Sequence, residues 1–123
     1  MATTRGKLRH LGPNEVLLDK VIWCDSFGGK LLGLMFRKSL EDGEGLLMVE
    51  AFASRMNTSI HMLFMNFPIA VVWLDKEFRV VDTVIAKPWR LAYVPAKPAV
   101  LTLEALPEMA GRISVGDQLA FER

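Results

Sequence analysis

The sequence predicts an α+β, mainly β domain: a small antiparallel barrel-like sheet of five to seven strands with two short helices. Three observations carry the prediction. Runs of β-branched and aromatic residues recur along the chain, each bounded by Gly, Pro, Asp or Asn turn signals. Most runs lie too close together for helical crossovers, so they should pair antiparallel. One run, Ile69 to Leu74, is apolar throughout, as a strand buried on both faces would be.

Taken in order, residues 1–14 carry Arg5, Lys7 and Arg9 with no acid, and read as a basic arm that frays or touches an acidic partner. Residues 15–123 read as one globular domain. Val16 to Asp25 reads as a strand, or as two short ones broken near Asp19-Lys20. Ser26 offers an N-cap oxygen. Behind it Phe27, Leu31, Leu34 and Met35 share one face of a short helix, although Gly28, Gly29 and Gly33 weaken it. Asp42-Gly43-Glu44-Gly45 is a turn and Leu46 to Phe52 a strand. Ile60 to Phe67 suits either period, and Pro68 marks an edge or a lead-in to the next strand.

Ile69–Leu74 and Arg79–Ile85 form a hairpin across Asp75-Lys76-Glu77-Phe78. Pro88, Pro95 and Pro98 hold an irregular stretch. Ala99 to Glu104 is a strand, Pro107 opens one helical turn, and Gln118 to Phe121 closes the sheet after a Gly116-Asp117 turn.

Composition excludes several classes of function. The chain has 51% hydrophobic and 24% charged residues, which is globular and not disordered. A net charge of +1 is too balanced for a dedicated nucleic-acid binder, so no nucleic-acid partner is expected. No stretch reaches the ~20 apolar residues of a membrane span, and no apolar segment follows the basic N-terminus as in a secretory signal. A cytoplasmic location is the expectation, and the single Cys24 agrees with it.

Chemical motifs are sparse. His10 and His61 stand in no metal-ligand spacing, so neither a metal nor a cofactor is expected. Cys24 with His61 could make a nucleophile and base, but a Cys at a strand end is more commonly inert. Gly28-Gly29-Lys30 and Gly43-Glu44-Gly45 lack the remaining features of a phosphate loop. Asp75, Asp82, Glu104 and Asp117 could pair as acid and base if the fold brought them together. The most suggestive cluster is Lys87-Pro88-Trp89-Arg90 with Lys97, where cations beside an indole could seat an anionic or planar ligand. Met35, Met48, Met62 and Met65 read as adaptable core fillers.

Several segments stand in a familiar order. They are Gly33-Leu34-Met35-Phe36-Arg37, Leu40 with Gly43-Glu44-Gly45-Leu46-Leu47, and Ile60 through Ile69. Val72-Trp73-Leu74-Asp75, Lys87-Pro88-Trp89-Arg90, Leu103-Glu104 and Ile113 through Asp117 follow. From Val16 to Phe121 the chain resembles the domain of unknown function family 192, small bacterial and archaeal proteins. The resemblance implies a compact β-rich fold with short helices and no established activity, and many relatives carry an export or lipid-anchor signal. It also marks one departure: the family pattern Pro-x-Asp would put an aspartate where this chain has Ala70. Arg37, His61, Asn66, Trp89, Arg90 and Asp117 match polar or aromatic family positions.

Three functions follow as expectations. The first is a non-enzymatic binding or accessory module for a small anionic or planar ligand or a peptide, using Arg37, His61, Asn66, Lys87, Trp89, Arg90 and Asp117. The second is a hydrolytic enzyme using His61 with Asp75 or Asp117. The third is an interaction module using the basic arm.

Overall fold

The structure, a computed structural model, describes residues 4–26, 29–30 and 33–123. Seven strands form one mixed sheet: β1 Thr4–His10, β2 Glu15–Cys24, β3 Glu44–Ser54, β4 Ile69–Leu74, β5 Val80–Ala86, β6 Ala99–Ala105 and β7 Leu119–Glu122. Their order across the sheet is β5-β4-β6-β3-β2-β1-β7. The sheet curls into a half-barrel, and among the described residues its two edges meet at one corner. There Leu119 N–H donates to Phe78 C=O at 3.0 Å and Val80 N–H donates to Asp117 C=O at 2.9 Å.

β4 shows why the curl is stable. All six of its residues are buried, and they alternate between two cores, as the period of a strand requires. Ala70, Val72 and Leu74 enter the barrel interior with Leu8, Val21, Leu47, Leu101, Leu103 and Leu119. Ile69, Val71 and Trp73 face outward into a second cluster with Leu34, Met48, Ile60, Met62 and Met65. A layer of loops, residues 33–43, 55–68 and 87–98, therefore covers the outer face. Met48, Met62 and Met65 do fill this core.

Three expectations change. Thr4–His10 is not a frayed arm: β1 pairs with β2 on one side and β7 on the other. Its residues have little strand propensity, but two ladders satisfy their backbone groups. Gly6 is required there, because a Cβ would strike the carbonyl oxygen of Glu122. β2 is one continuous strand, as the first of the two readings had it, but its pairing with β1 slips by a residue at the exposed Asp19-Lys20, between Val21 and Leu18.

The sheet is not wholly antiparallel. β2 and β3 run parallel, from Lys20 opposite Glu44 to Cys24 opposite Met48. Residues 25–43 between them are long enough for the crossover that such pairing needs.

The two expected helices fare differently. The second is the 3-10 turn Pro107–Gly111, with Pro at its start. For the first, Phe27 and Leu31 lie outside the described residues. Ser26 does cap a helical turn, its Oγ accepting from Gly29 N–H at 3.2 Å. Gly33 at φ 52° and Phe36 at φ 66° then leave the helical region, so Leu34 and Met35 lie past the turn and not on a helix face. Among the described residues no helix is long and apolar enough to cross a membrane.

Candidate functional site

The loop layer is stitched together by backbone hydrogen bonds. Ile60 and Tyr93 exchange both of theirs, at 2.8 and 2.7 Å. Met62 N–H donates to Arg90 C=O at 2.9 Å, and Met62 C=O accepts from Trp89 N–H at 2.7 Å. Phe36 N–H donates to Phe64 C=O at 3.0 Å, and Asn66 Nδ2 donates to Arg37 C=O at 2.9 Å. Three loops distant in sequence are thereby held as one surface.

That surface displays three aromatic rings. Phe36 stacks on Phe64 with centroids 5.0 Å apart, and Phe64 meets Trp89 edge-on at 5.2 Å. All three are exposed, at 63% for Phe36, 45% for Phe64 and 57% for Trp89. Each also occupies the left-handed backbone region, with φ of 66°, 61° and 67°. A bulky residue there carries about 1–3 kcal/mol of strain and persists only where its surroundings impose it. Lys38, Lys87 and Arg90 are exposed nearby in sequence, and Leu91 is 76% exposed.

The sequence-predicted residues divide. Arg37, Asn66, Lys87, Trp89 and Arg90 all belong to this layer. Arg37 forms a two-pronged ion pair with Glu44, at 2.7 and 3.0 Å. Asn66 serves the loop tie already described. Lys87 N–H donates to the Tyr93 hydroxyl at 2.9 Å. His61 is exposed and lines the mouth of a cavity of about 80 Å³ between the loops and the sheet.

Asp117 lies apart, at the corner where the sheet edges meet. Its carboxylate accepts from Ser114 N–H at 2.8 Å and sits 3.5 Å from His10.

The remaining carboxylates are not brought into acid–base pairs. Asp75 accepts from the N–H groups of Glu77 and Arg79 in its own hairpin. Asp82 accepts from Thr83 and Ala96 N–H. His61 therefore finds Asp75 and Asp117 each engaged with its own turn. Cys24 is half-buried against the outer cluster. Ala70 packs into the barrel interior, so a carboxylate at that position would face the apolar core. Among the described residues no three His, Cys, Asp or Glu side chains could share a metal ion.

Glu104 differs from the others. It projects from β6 on the outer face, is 5% exposed and lines the cavity. Burial alone pushes its carboxyl up to about 7. Sequence reasoning singled out Trp89 but missed Phe36 and Phe64 as its companions. The left-handed conformation that unites them has no signature in residues other than Gly, Asn and Asp.

Comparison with known proteins places the chain. It is 39% identical over 106 residues to a UPF0127 protein of Pyrococcus furiosus, covering 85% of this chain and 88% of that one. Two crystal structures share the fold. One, from Sinorhizobium meliloti and described as "a putative transcription regulator", superposes with a TM-score of 0.86 at 16% identity, over 98% of this chain and 96% of that one. The other, a protein of unknown function from Novosphingobium aromaticivorans, gives 0.80 at 19% identity, over 98% and 93%. The sequence profile described as DUF192, Uncharacterized ACR, matches residues 13–121. On that match, and on the likeness to the archaeal relative, the chain belongs to the DUF192/UPF0127 family.

Proposed function

We propose that this chain is a non-enzymatic binding module that takes a peptide segment, apolar with acidic flanks, on the Phe36–Phe64–Trp89 face. The observation that carries the reading is the display of three contacting aromatic rings on three left-handed backbone positions. A fold that only needed these rings for packing would bury them. Keeping them in water forfeits roughly 25 cal/mol for each Å² of apolar surface left exposed, on top of the backbone strain. Contiguous exposed apolar surface usually marks an interaction site, and aromatic residues with Arg dominate binding hot spots.

The partner's charge follows from Lys38, Lys87 and Arg90. Among the described residues, the ion pairs involve other side chains, and these three cations remain in solvent. An acidic flank would complement them and speed encounter. The hydrolytic alternative needs His61 beside Asp75 or Asp117, but Asp117 is set against His10 instead and Asp75 caps its own hairpin. The basic-arm alternative has its residues in a strand, with Arg9 bonded to Glu122 at 3.1 Å.

The test uses a synthetic peptide with a Leu/Phe centre and Asp/Glu flanks, and a matched peptide with Lys flanks. The acidic peptide should shift the backbone amides of Phe36, Phe64 and Trp89–Leu91 in NMR spectra. Phe64→Ala should weaken it at least tenfold. Equal binding of the Lys-flanked peptide, or shifts confined to the opposite side of the molecule, would refute the reading.

A further inference from the structure

Beneath the loop layer lies a feature that the aromatic face does not use. The cavity of about 80 Å³ is lined by Lys30, Gly33, Glu50, Ser59, Thr102 and Glu104 among others, with His61 at its edge. Its volume admits a group of several heavy atoms.

The lining is mixed: Leu34, Met48 and Met65 of the outer cluster form part of it, and polar side chains are set among them. Glu104 and Thr102 stand on the outer face of β6, opposite Leu46 and Met48 of β3 and Val71 and Trp73 of β4. Lys30 is already engaged: its Nζ lies 2.7 Å from Glu50 and 3.1 Å from Val49 C=O. Glu104 is the one acid of the lining with no ion pair among the described residues. Gly33 lies beside it, and a Cβ at that position would stand 3.7 Å from its Oε1.

The charges of the lining favour a cation. Lys30 and Glu50 neutralise one another, leaving Glu104 as the uncompensated acid. No other titratable side chain of β3, β4 or β6 lines the cavity, and His61 alone comes from the loops. A buried carboxylate is stable only with a partner that supplies charge and hydrogen bonds together. An N–H-bearing cation of a few heavy atoms supplies both, and Thr102 and Ser59 offer further oxygens.

We propose that the cavity over Glu104 is a second binding site, separate from the aromatic face, for a small organic cation bearing a primary ammonium or guanidinium group. Binding draws the proton off Glu104 and replaces it with a charge-assisted hydrogen bond. Affinity therefore rises with pH through about 7, where the free carboxyl ionises.

The experiment titrates methylammonium and guanidinium chloride into isotope-labelled protein. Tetramethylammonium chloride, which carries the charge but no N–H, is the control. Saturable shifts at Gly33 and Ser59 amides and the Met48 methyl are expected at pH 8, roughly tenfold weaker at pH 6, with the amides of Phe36 and Trp89 unmoved. Glu104→Gln should abolish them while the Trp73 indole resonance reports an intact fold. If that variant does not fold, the wild-type pH step and the tetramethylammonium control still decide. No saturation overturns the proposal, as does an equal response to tetramethylammonium or unchanged binding in E104Q. A pH step that survives E104Q and vanishes in His61→Asn overturns it too.

Discussion

The indole N–H of Trp73 donates to the carbonyl of Thr58 at 2.6 Å, and the bond is buried. It joins the outer face of β4 to the loop carrying Ile60, Met62 and Phe64. Thr58 is anchored in turn through its own Oγ1, which donates to Ser54 C=O at 2.6 Å. Trp73→Phe keeps most of the apolar contact but strands a buried acceptor, which costs about 1–3 kcal/mol. Trp73→Ala should cost about 3–5 kcal/mol, much of the stability of a small domain. Chemical denaturation of both variants checks the order.

Arg37 holds the Glu44 carboxyl below the usual carboxylate range through its side-chain hydrogen bond, against the opposing pull of burial. A carboxyl depressed in the folded state adds stability that is present above its unfolded value and lost as pH falls through the folded one. Arg37 is 39% exposed and Glu44 16%, so the pair contributes about 0.5–1 kcal/mol after screening. Glu44→Gln should lower the denaturation midpoint at pH 7 and converge with the parent protein once acid protonates Glu44 in the folded state.

Glu104 runs the other way. Its folded value, about 7, lies above that of an unfolded glutamate, so the folded state holds the proton more tightly. Stability is therefore full at low pH and falls as pH rises toward 7. Glu104→Gln removes that loss. It should be nearly neutral at pH 4 and stabilising by about 3 kcal/mol at pH 8. Unfolding curves at the two pH values give the comparison directly.

The strained aromatic positions separate binding from stability. Asn tolerates the left-handed region far better than Phe. Phe36→Asn should therefore leave stability unchanged or raise it by up to about 1 kcal/mol, while binding of the acidic peptide drops. Parallel denaturation and peptide titrations would expose a purely structural role, in which stability fell instead.

Gly6→Ala should destabilise by about 1–3 kcal/mol, because the obstructing atom is the backbone oxygen of Glu122 and not a side chain that can swing aside. Removal of residues 1–10 should unfold the protein, which circular dichroism would reveal.

The sheet was legible wherever side-chain pattern alone decides. Ile69–Leu74 announced a strand buried on both faces, and Pro107 announced its turn. β1 was not legible, because its order comes from partners on both sides and not from its own residues. The parallel pairing of β2 with β3 was hidden in the length of residues 25–43. For the candidate site, Trp89 and Arg90 stood out by composition. Their joining with Phe36 and Phe64 depends on hydrogen bonds between distant loops. Glu104 could be named from the sequence as a carboxylate, but its isolation could not, because desolvation is a property of the assembled layers.

The placement of β1 between β2 and β7 has a consequence for biogenesis. Its ladder with β2 can zip as soon as both segments leave the ribosome, since they adjoin in the chain. Its other edge must wait for Leu119–Glu122, synthesised far later. Through nearly all of translation the nascent protein thus carries an open strand edge, the template on which stray chains add. Arg5, Lys7 and Arg9 on that strand, repelling their counterparts on a neighbouring nascent chain, are placed to guard it until the last strand arrives.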